Sequence, residues 1–266
     1  MRLHSAAAAA GYRLLAHETL GSTNTEALAL ARRGEHGPLW VTALQQTAGR
    51  GRRGSEFVSP LGNLYATLLL DDPSPADRAP ELSFVAALGL NDAILDCAPA
   101  LRVRLAVKWP NDLLCDGAKL AGILIESENL GGRLAIAIGI GVNCVRHPAG
   151  TAYPATDLGA AGADVSAATL FAALSGTMLQ RLRQWNRGAG FAAIRADWVA
   201  RAAGIGGDLR VRLPSRELRG RFETLDEHGR LILRLSDGTL QTITAGDVFP
   251  VARLAAEHLP ATGRAD

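Results

Sequence analysis

The chain has 266 residues, enough for one substantial domain with a buried core and a second, smaller one. Its 28 basic and 26 acidic residues leave a formal net charge of +2, which argues against a protein that wraps nucleic acid, because such proteins bind phosphates through a broad basic face. The sequence contains no run of about 18 apolar residues, which excludes a membrane-spanning helix, and no membrane partner is expected.

Three cysteines, Cys97, Cys115 and Cys144, lie far apart and form neither a CxxC motif nor a Cys/His pair. They indicate neither a disulfide framework nor a zinc site, and reduced thiols fit a cytoplasmic protein. The alanine-rich start of the chain, "SAAAAA", is too weakly apolar for a signal peptide and is interpreted as a frayed leader.

The first part of the chain, residues 1–204, alternates helical and strand patterns. Apolar periodicity predicts helices at 22–33, 81–97, 166–185 and 190–202. Apolar runs predict strands at 39–44 and 63–70, and three more that end at Lys108, Ser127 and Ile140. Because no helix interrupts the last three strands, we predict an α+β domain with a mixed, mainly antiparallel sheet and helices against one face.

The pattern changes between Gly204 and Gly207 to short strands separated by the turns "DEHG" and "SDG". Residues 205–252 are therefore predicted to form a small β-barrel of their own. The last residues, 253–266, are interpreted as a frayed tail.

A basic, glycine-rich segment, "GRGRRG" at 49–54, follows the strand at 39–44. Glycines allow several backbone N–H groups to converge, and arginine forks bind phosphate or carboxylate oxygens in pairs. The segment favours a small phosphate-bearing ligand, but no Gly-Lys-Ser/Thr follows, so it is not an ordinary P-loop. The alternative is a solvated basic hairpin tip.

The segment "VKWPNDLLCDGAKLAGILIE" predicts a second polar site. Lys108 ends a strand, Pro110 stops it, and Asn111 with Asp112 forms a turn. A hairpin would then bring Lys119, at the start of the next strand, close to Asp112. Taken alone, this pair could equally be a surface ion pair.

Two further segments carry polar groups. In "GSTNTEALAL", Thr23 and Glu26 match a capping box at a helix start, which could also offer hydroxyls, an amide and backbone N–H groups to a ligand. In "GIGVN", an apolar strand ends in glycines and Asn143, a weak signal for a backbone that approaches a ligand.

The order of these segments is more specific than any one of them. The series "STN", "QQTAGRGRRG", "KWPNDLL", "KLAGILIE" and "GIGVN" resembles that of biotin protein ligase, also called biotin–[acetyl-CoA-carboxylase] ligase, from about Gly21 to Asn143. The C-terminal β-region is similar to the SH3-like module of that family. The resemblance implies a class II synthetase-like catalytic domain at 1–204 and an SH3-like domain at 205–252.

The resemblance further implies an ATP-dependent, AMP-forming ligase. In that family the carboxylate of biotin attacks the α-phosphate of ATP, with Mg²⁺, and forms biotinyl-5′-AMP and pyrophosphate. A lysine of biotin carboxyl carrier protein then attacks the mixed anhydride and releases AMP. Such transfers depend on holding two anions together and neutralising the charge that develops.

The family's site residues map onto matching positions of this sequence. The resemblance assigns the ring system of biotin to Ser22, Thr23, Asn24 and Gln46. It assigns the carboxylate of biotin and the adenylate phosphate to Arg50, Gly51 and Arg52.

It also implies that Lys119 bridges the carboxyl oxygen of biotin and the α-phosphate, and that Asn143 helps to hold the nucleotide. Asp112 would orient Lys119, bind metal, or take the proton of the carrier lysine, and the sequence does not choose among these roles. No side chain is assigned as a dedicated metal ligand.

Two departures from the family pattern matter. Many members carry a tryptophan shortly after the glycine–arginine motif, whereas this chain has Phe57, which can stack on adenine but has no N–H to donate; modest changes in binding are expected. Bifunctional members place a winged helix-turn-helix domain before "STN", but only 21 residues precede Ser22 here. We therefore predict a monofunctional ligase that does not bind DNA.

Two other functions compete with this interpretation. Lipoate or octanoate protein ligases share the fold and the adenylation chemistry, but "GRGRRG" beside "KWPND" and "KLAGI" is typical of the biotin branch. An RNA-binding module would need exposed aromatic residues among basic ones, and only 5% of the chain is aromatic.

An edge strand could pair with a second copy of the chain or with the carrier, so a homodimer stays open.

Overall fold

The computed structural model describes residues 1–151 and 153–251, and the tail expected at 253–266 lies outside the described residues. The chain divides into two compact units. The first comprises Met1–Ala203 together with Leu225–Gly229, and the second comprises Gly204–Thr224 and the chain from Arg230 onward.

The first unit is built from α-helices and one sheet. The helices are α1 (Ser5–Ala9), α2 (Thr23–Arg32), α3 (Leu82–Cys97), α4 (Ala167–Trp185) and α5 (Phe191–Val199). The strands are β1 (Arg13–Leu20), β2 (Leu39–Gln46), β3 (Leu64–Asp71), β4 (Leu105–Lys108), β5 (Asp112–Cys115), β6 (Ala118–Leu130) and β7 (Arg133–Val142). Among the described residues, none of the helices combines the length and apolar character needed to cross a bilayer.

The sheet of the first unit is mixed but mainly antiparallel, as predicted. In the described residues its strand order is β1-β2-β3-β7-β6-β5-β4. β1 and β2 run parallel, and every following pair in that order is antiparallel. The sequence patterns do not indicate β1, an edge strand whose residues are exposed or half-buried.

Helices cover both faces of this sheet, so the expectation of a single covered face is wrong. On one face, Ala31 of α2 packs with Val41 and Leu69. On the other, Trp40 packs edge-to-face on Phe171 of α4, with 5.4 Å between ring centroids. The continuous burial along most of β2 and β3 is typical of strands covered on both sides, and their unbroken apolar runs are the sequence signal for it.

The helix α2 covers only part of its face. It begins beside β7, where Asn24 lies over Gly139. Further along β7 the same face carries Gly141 and, across on β6, its partner Gly122. This part of the sheet holds the candidate site.

The alanine-rich start of the chain is not frayed. It forms α1, and the ring Nδ1 of His4 accepts a hydrogen bond from the N–H of Ala6 at 3.2 Å. The N–H of His4 donates to Ser175 Oγ of α4 at 2.8 Å, and Ala7 is buried. Contacts with α4 stabilise a helix that is too short to form alone.

The second unit contains the strands β8 (Asp208–Arg212), β9 (Glu217–Leu225, apart from its last residue), β10 (Leu231–Arg234), β11 (Leu240–Ile243) and β12 (Asp247–Pro250). Within its described residues they form one sheet in the order β11-β10-β9-β8-β12. Its buried side chains include Val211, Phe222 and Leu233. The predicted β-domain is confirmed, and a bend over 244–246 separates β11 from β12.

Candidate active site

Three glycines form the floor of the candidate site. Gly122 and Gly141 are cross-strand partners, and Gly139 lies two residues before Gly141 on the same face. A Cβ atom on Gly139 would collide with the side-chain amide of Asn24, and one on Gly141 would lie 2.6 Å from the ring of Phe57. The absence of side chains therefore lets functional groups from other elements lie directly on the sheet.

Four neutral polar side chains at one end of the floor form a hydrogen-bonded group, here called the neutral cluster: Thr23, Asn24, Gln46 and Thr67. Gln46 Oε1 accepts from the N–H of Thr23 at 2.8 Å and lies 3.1 Å from Thr23 Oγ1. Thr67 Oγ1 lies 2.8 Å from Thr23 Oγ1 and 2.7 Å from Asn24 Oδ1. Because Thr23, Asn24 and Thr67 are buried, these bonds fix the direction of each side chain.

The capping box predicted at the start of α2 is wrong. Ser22 rather than Thr23 is the N-cap residue, and it forms no side-chain cap hydrogen bond. The hydroxyl of Thr23 faces the neutral cluster, and Glu26 pairs with Arg33 at 2.9 Å. Hydrogen bonds to the strands thus replace the local cap, and they place Ser22, which is buried, beside the cluster.

Residues 49–57, here called the glycine–arginine loop, form a small hairpin. The N–H of Gly51 donates to the carbonyl of Ser55 at 2.7 Å, and the N–H of Phe57 donates to the carbonyl of Gly49 at 2.9 Å. Ser59 Oγ donates to the carbonyl of Phe57 at 2.7 Å and accepts from Gln46 Nε2 at 2.9 Å. The loop is therefore bonded internally and joined at its base to the neutral cluster.

Two arginines of the loop contact separate elements of the first unit. Arg50 Nη2 donates to Thr25 Oγ1 at 3.1 Å and to Glu126 Oε2 at 3.0 Å. Arg52 Nη1 donates to Asn111 Oδ1 at 3.2 Å. The loop thus reaches α2, β6 and the turn between β4 and β5.

The β5–β6 hairpin brings the predicted carboxylate and lysine together. Lys119 Nζ lies 2.7 Å from Asp112 Oδ1, and Lys108 Nζ lies 3.6 Å from Asp112 Oδ2. Lys108 also stacks over the ring of Tyr153, 3.9 Å from its centroid. Lys108 and Lys119 are the only lysines in the sequence, and with Asp112 they form what we call the charged cluster.

The backbone of Lys119 is held by the segment 153–158. The N–H of Lys119 donates to the carbonyl of Pro154 at 2.7 Å, and its carbonyl accepts from Thr156 at 2.9 Å. Asn143, which is buried, donates from Nδ2 to the carbonyl of Thr156 at 3.0 Å. Asn143, which the resemblance assigns to the nucleotide, therefore supports the start of β6, from which Lys119 projects.

Sequence reasoning missed several polar residues of the site. Thr67 lies in an apolar strand, where its isolated hydroxyl is the only signal. Glu126 lies at the end of "KLAGILIE", where a single acidic residue in a strand carries no specific signal. The sequence predicts only a turn at Asn111, but this residue also accepts from Arg52 and donates from Nδ2 to the carbonyl of Ile123 at 2.6 Å.

Burial raises the pKa of three groups near the site. Burial raises the pKa of the Cys144 thiol to about 12. The pKa of Tyr65 is also raised by burial, and that of Tyr153 is raised by burial and by the Asp112 carboxylate. These groups are neutral at pH 7, so the charges of the site come from the charged cluster, Glu126 and the loop.

Comparison with known proteins identifies the family. Residues 17–143 match the biotin/lipoate A/B protein ligase family, and residues 205–249 match the biotin protein ligase C terminal domain. The chain is 45% identical over 236 residues to the biotin–[acetyl-CoA-carboxylase] ligase of Paracoccus denitrificans. The aligned region covers 86% of this chain and 96% of the relative. The chain belongs to the biotin protein ligase family. The family expected from the order of the motifs is thereby confirmed.

Other members of the biotin protein ligase family extend the comparison. The bifunctional ligase/repressor BirA of Bacillus subtilis is 31% identical over 247 residues, which covers 90% of this chain and 74% of the relative. The structure of the Aquifex aeolicus biotin protein ligase in complex with biotin and ATP superposes with a TM-score of 0.75 at 21% identity, covering 89% of this chain and 97% of that one. This likeness confirms the fold.

Proposed function

We propose that this member of the biotin protein ligase family activates biotin with ATP as biotinyl-5′-AMP and transfers it to a lysine of biotin carboxyl carrier protein. One observation carries the proposal: the neutral cluster, the glycine–arginine loop and the charged cluster meet on one sheet face. An acid-activating ligase needs these three parts to hold a neutral ring, to bring two anions together and to place a cation at the reacting atoms.

Ser22 and the neutral cluster would bind the ring system of biotin. Their hydroxyls and amides lie at the Gly139 end of the floor, where α2 begins, and they include both donors and acceptors. A ring with N–H and C=O groups can pair with such a set. A purely apolar acyl chain would leave these buried groups without the hydrogen bonds that a polar ring offers.

In the first step, a carboxylate oxygen of biotin forms a bond to the α-phosphorus of ATP, and the bond to the departing pyrophosphate breaks. Arg50 and Arg52 reduce the repulsion between the two anions, and Gly51 lets the loop fold tightly beside them, because a Cβ at this position would lie 2.5 Å from Ser55 Oγ. Lys119 stabilises the charge that develops between the carboxyl oxygen and the α-phosphate.

Asp112 would orient Lys119, the first of the three roles that the sequence leaves open. Its carboxylate faces both lysines of the chain, and its side chain is only 13% exposed. Asn143 would serve the nucleotide indirectly, by fixing the segment beside Lys119.

The residues present fit Mg²⁺ only as a companion of ATP. Among the described residues, no three His, Cys, Asp or Glu side chains are grouped to hold a metal ion. Mg²⁺ commonly keeps its waters and binds substrate phosphates with one or two carboxylates. We therefore propose that Mg²⁺ enters on the phosphates of ATP, and that it supplies charge neutralisation there.

In the second step, the amine of the carrier lysine would form a bond to the acyl carbon of biotinyl-5′-AMP, and AMP would leave.

The three cysteines of the chain are free thiols, which supports our prediction that the reaction takes place in the reducing cytoplasm.

The test is ATP–pyrophosphate exchange by the purified protein, with biotin, lipoate, octanoate or no acid. We expect exchange with biotin alone. Exchange with lipoate or octanoate but not with biotin would reassign the protein to the other branch of the family. Incubation with an apo carrier domain then tests transfer, and a carrier with its acceptor lysine replaced by arginine is the matched control.

A further inference from the structure

The carboxylate of Glu126 on β6 joins two parts of the site that are distant in sequence. Its Oε2 accepts from Asn24 Nδ2 at 2.8 Å and from Arg50 Nη2 at 3.0 Å. Asn24 belongs to the neutral cluster, and Arg50 belongs to the glycine–arginine loop. A single oxygen therefore holds both the ring-binding end of the floor and the loop above it.

The hydrogen bond between Glu126 and Arg50 attaches the glycine–arginine loop to strand β6 of the sheet. The hairpin bonds of the loop hold it together but do not attach it to the sheet. Among the described residues, Arg50 makes its side-chain hydrogen bonds through Nη2 alone, to Thr25 and Glu126. The remaining donors of its planar fork stay available to a carboxylate or phosphate.

We propose that Glu126 is a positioning residue that fixes Arg50, and with it the glycine–arginine loop, over the neutral cluster. This inference rests on the proposed function, because the loop is the part that would enclose the adenylate. Glu126 contacts one arm of the guanidinium and leaves the other arm for the reactants. Its charge matters because a neutral acceptor binds a guanidinium less strongly.

The test uses the loop arginines as trypsin sites, and it needs no ligand. Glu126→Gln keeps the size of the side chain and removes its charge. Mass spectrometry follows cleavage after Arg50, Arg52 or Arg53. We expect the cleavage rate to rise about two- to fivefold, which corresponds to the loss of a partly exposed ion pair. Glu128→Gln is the matched control, because Glu128 lies on the same strand as Glu126 but pairs with Arg32 of α2 at 2.7 Å and does not reach the loop.

A double variant tests whether Glu126 acts through Arg50. Arg50→Gln alone is expected to accelerate cleavage after Arg52 and Arg53 as Glu126→Gln does, and the double variant is expected to add nothing. Equal cleavage of wild type and Glu126→Gln would overturn the inference, and so would additive effects in the double variant.

Kinetics separate positioning from chemistry. In the exchange assay we expect Glu126→Gln to raise the KM for biotin by a similar factor and to leave kcat nearly unchanged. A loss confined to kcat would contradict a positioning role. Since the trypsin assay requires no turnover, a wild-type protein without biotin-dependent exchange would refute the proposed function and leave the attachment of the loop by Glu126 independently measurable.

Discussion

The neutral cluster and the charged cluster lie on the same sheet face but are held in different ways. Thr23, Asn24 and Thr67 are at most 4% exposed and bond to one another as neutral groups. In the charged cluster, the side chain of Lys119 is 34% exposed and its partner Asp112 is shared with Lys108. The neutral end is therefore fixed as part of the core, whereas the charged end can exchange its partners for those of a ligand.

The largest expected effect comes from removing the cation of the charged cluster. We expect Lys119→Met to lower kcat for adenylation by about 100- to 1000-fold, as for other groups that stabilise developing charge. Stability should change little, because Lys108 still faces Asp112. Pyrophosphate exchange and thermal unfolding measure the two effects. Lys119→Arg should restore part of the rate, and near-normal turnover of the methionine variant would show that the cation is misassigned.

A change between the two clusters should have a smaller effect. We expect Gly141→Ala to lower kcat/KM for biotin by about 10- to 100-fold, because its Cβ would lie 2.6 Å from the ring of Phe57 and displace it. Gly21→Ala is the matched control, since a Cβ there meets no atom within 4 Å. Equal kinetics of the two variants would mean that the ring can shift without consequence.

The neutral cluster should respond mainly in stability. We expect Thr67→Val to lower the unfolding free energy by about 1–3 kcal/mol, because it removes the hydroxyl that donates to the buried Oδ1 of Asn24 and that bonds to Thr23 Oγ1. Thr42→Val is the control: Thr42 is equally buried on β2, but its hydroxyl has no hydrogen-bond partner among the described residues. Urea denaturation should find the control near wild type. A similar loss of unfolding free energy in both variants would contradict a contribution from the hydrogen bonds of Thr67.

The smallest effect is expected at Cys144, next to the site. Its pKa is raised to about 12, so the reactive thiolate is scarce at pH 8 and becomes tenfold more abundant with each pH unit up to that value. We expect a thiol reagent at pH 8 to leave Cys144 unmodified in the folded protein, and activity intact. Peptide mapping checks this, and rapid labelling of Cys144 would contradict its burial.

Local patterns predicted most of the elements and the proximity of Asp112 to Lys119. The Asp112–Lys119 pair follows from a short hairpin, and the long helices at 82–97 and 167–185 follow from apolar periodicity. The capping box failed for a physical reason. A local cap had to compete with hydrogen bonds to Gln46 and Thr67, which approach Thr23 only after the strands pair.

The sequence by itself determined the order of the motifs, the family and the charges that the site would need, because these depend on residue types and short spacings. Only the tertiary structure decided which groups that are distant in sequence share a hydrogen bond. Thr67 and Asn24 are 43 residues apart, and Arg50 and Glu126 are 76 apart. Such contacts depend on strand order and on three glycines that leave the sheet face open, and neither follows from a local pattern.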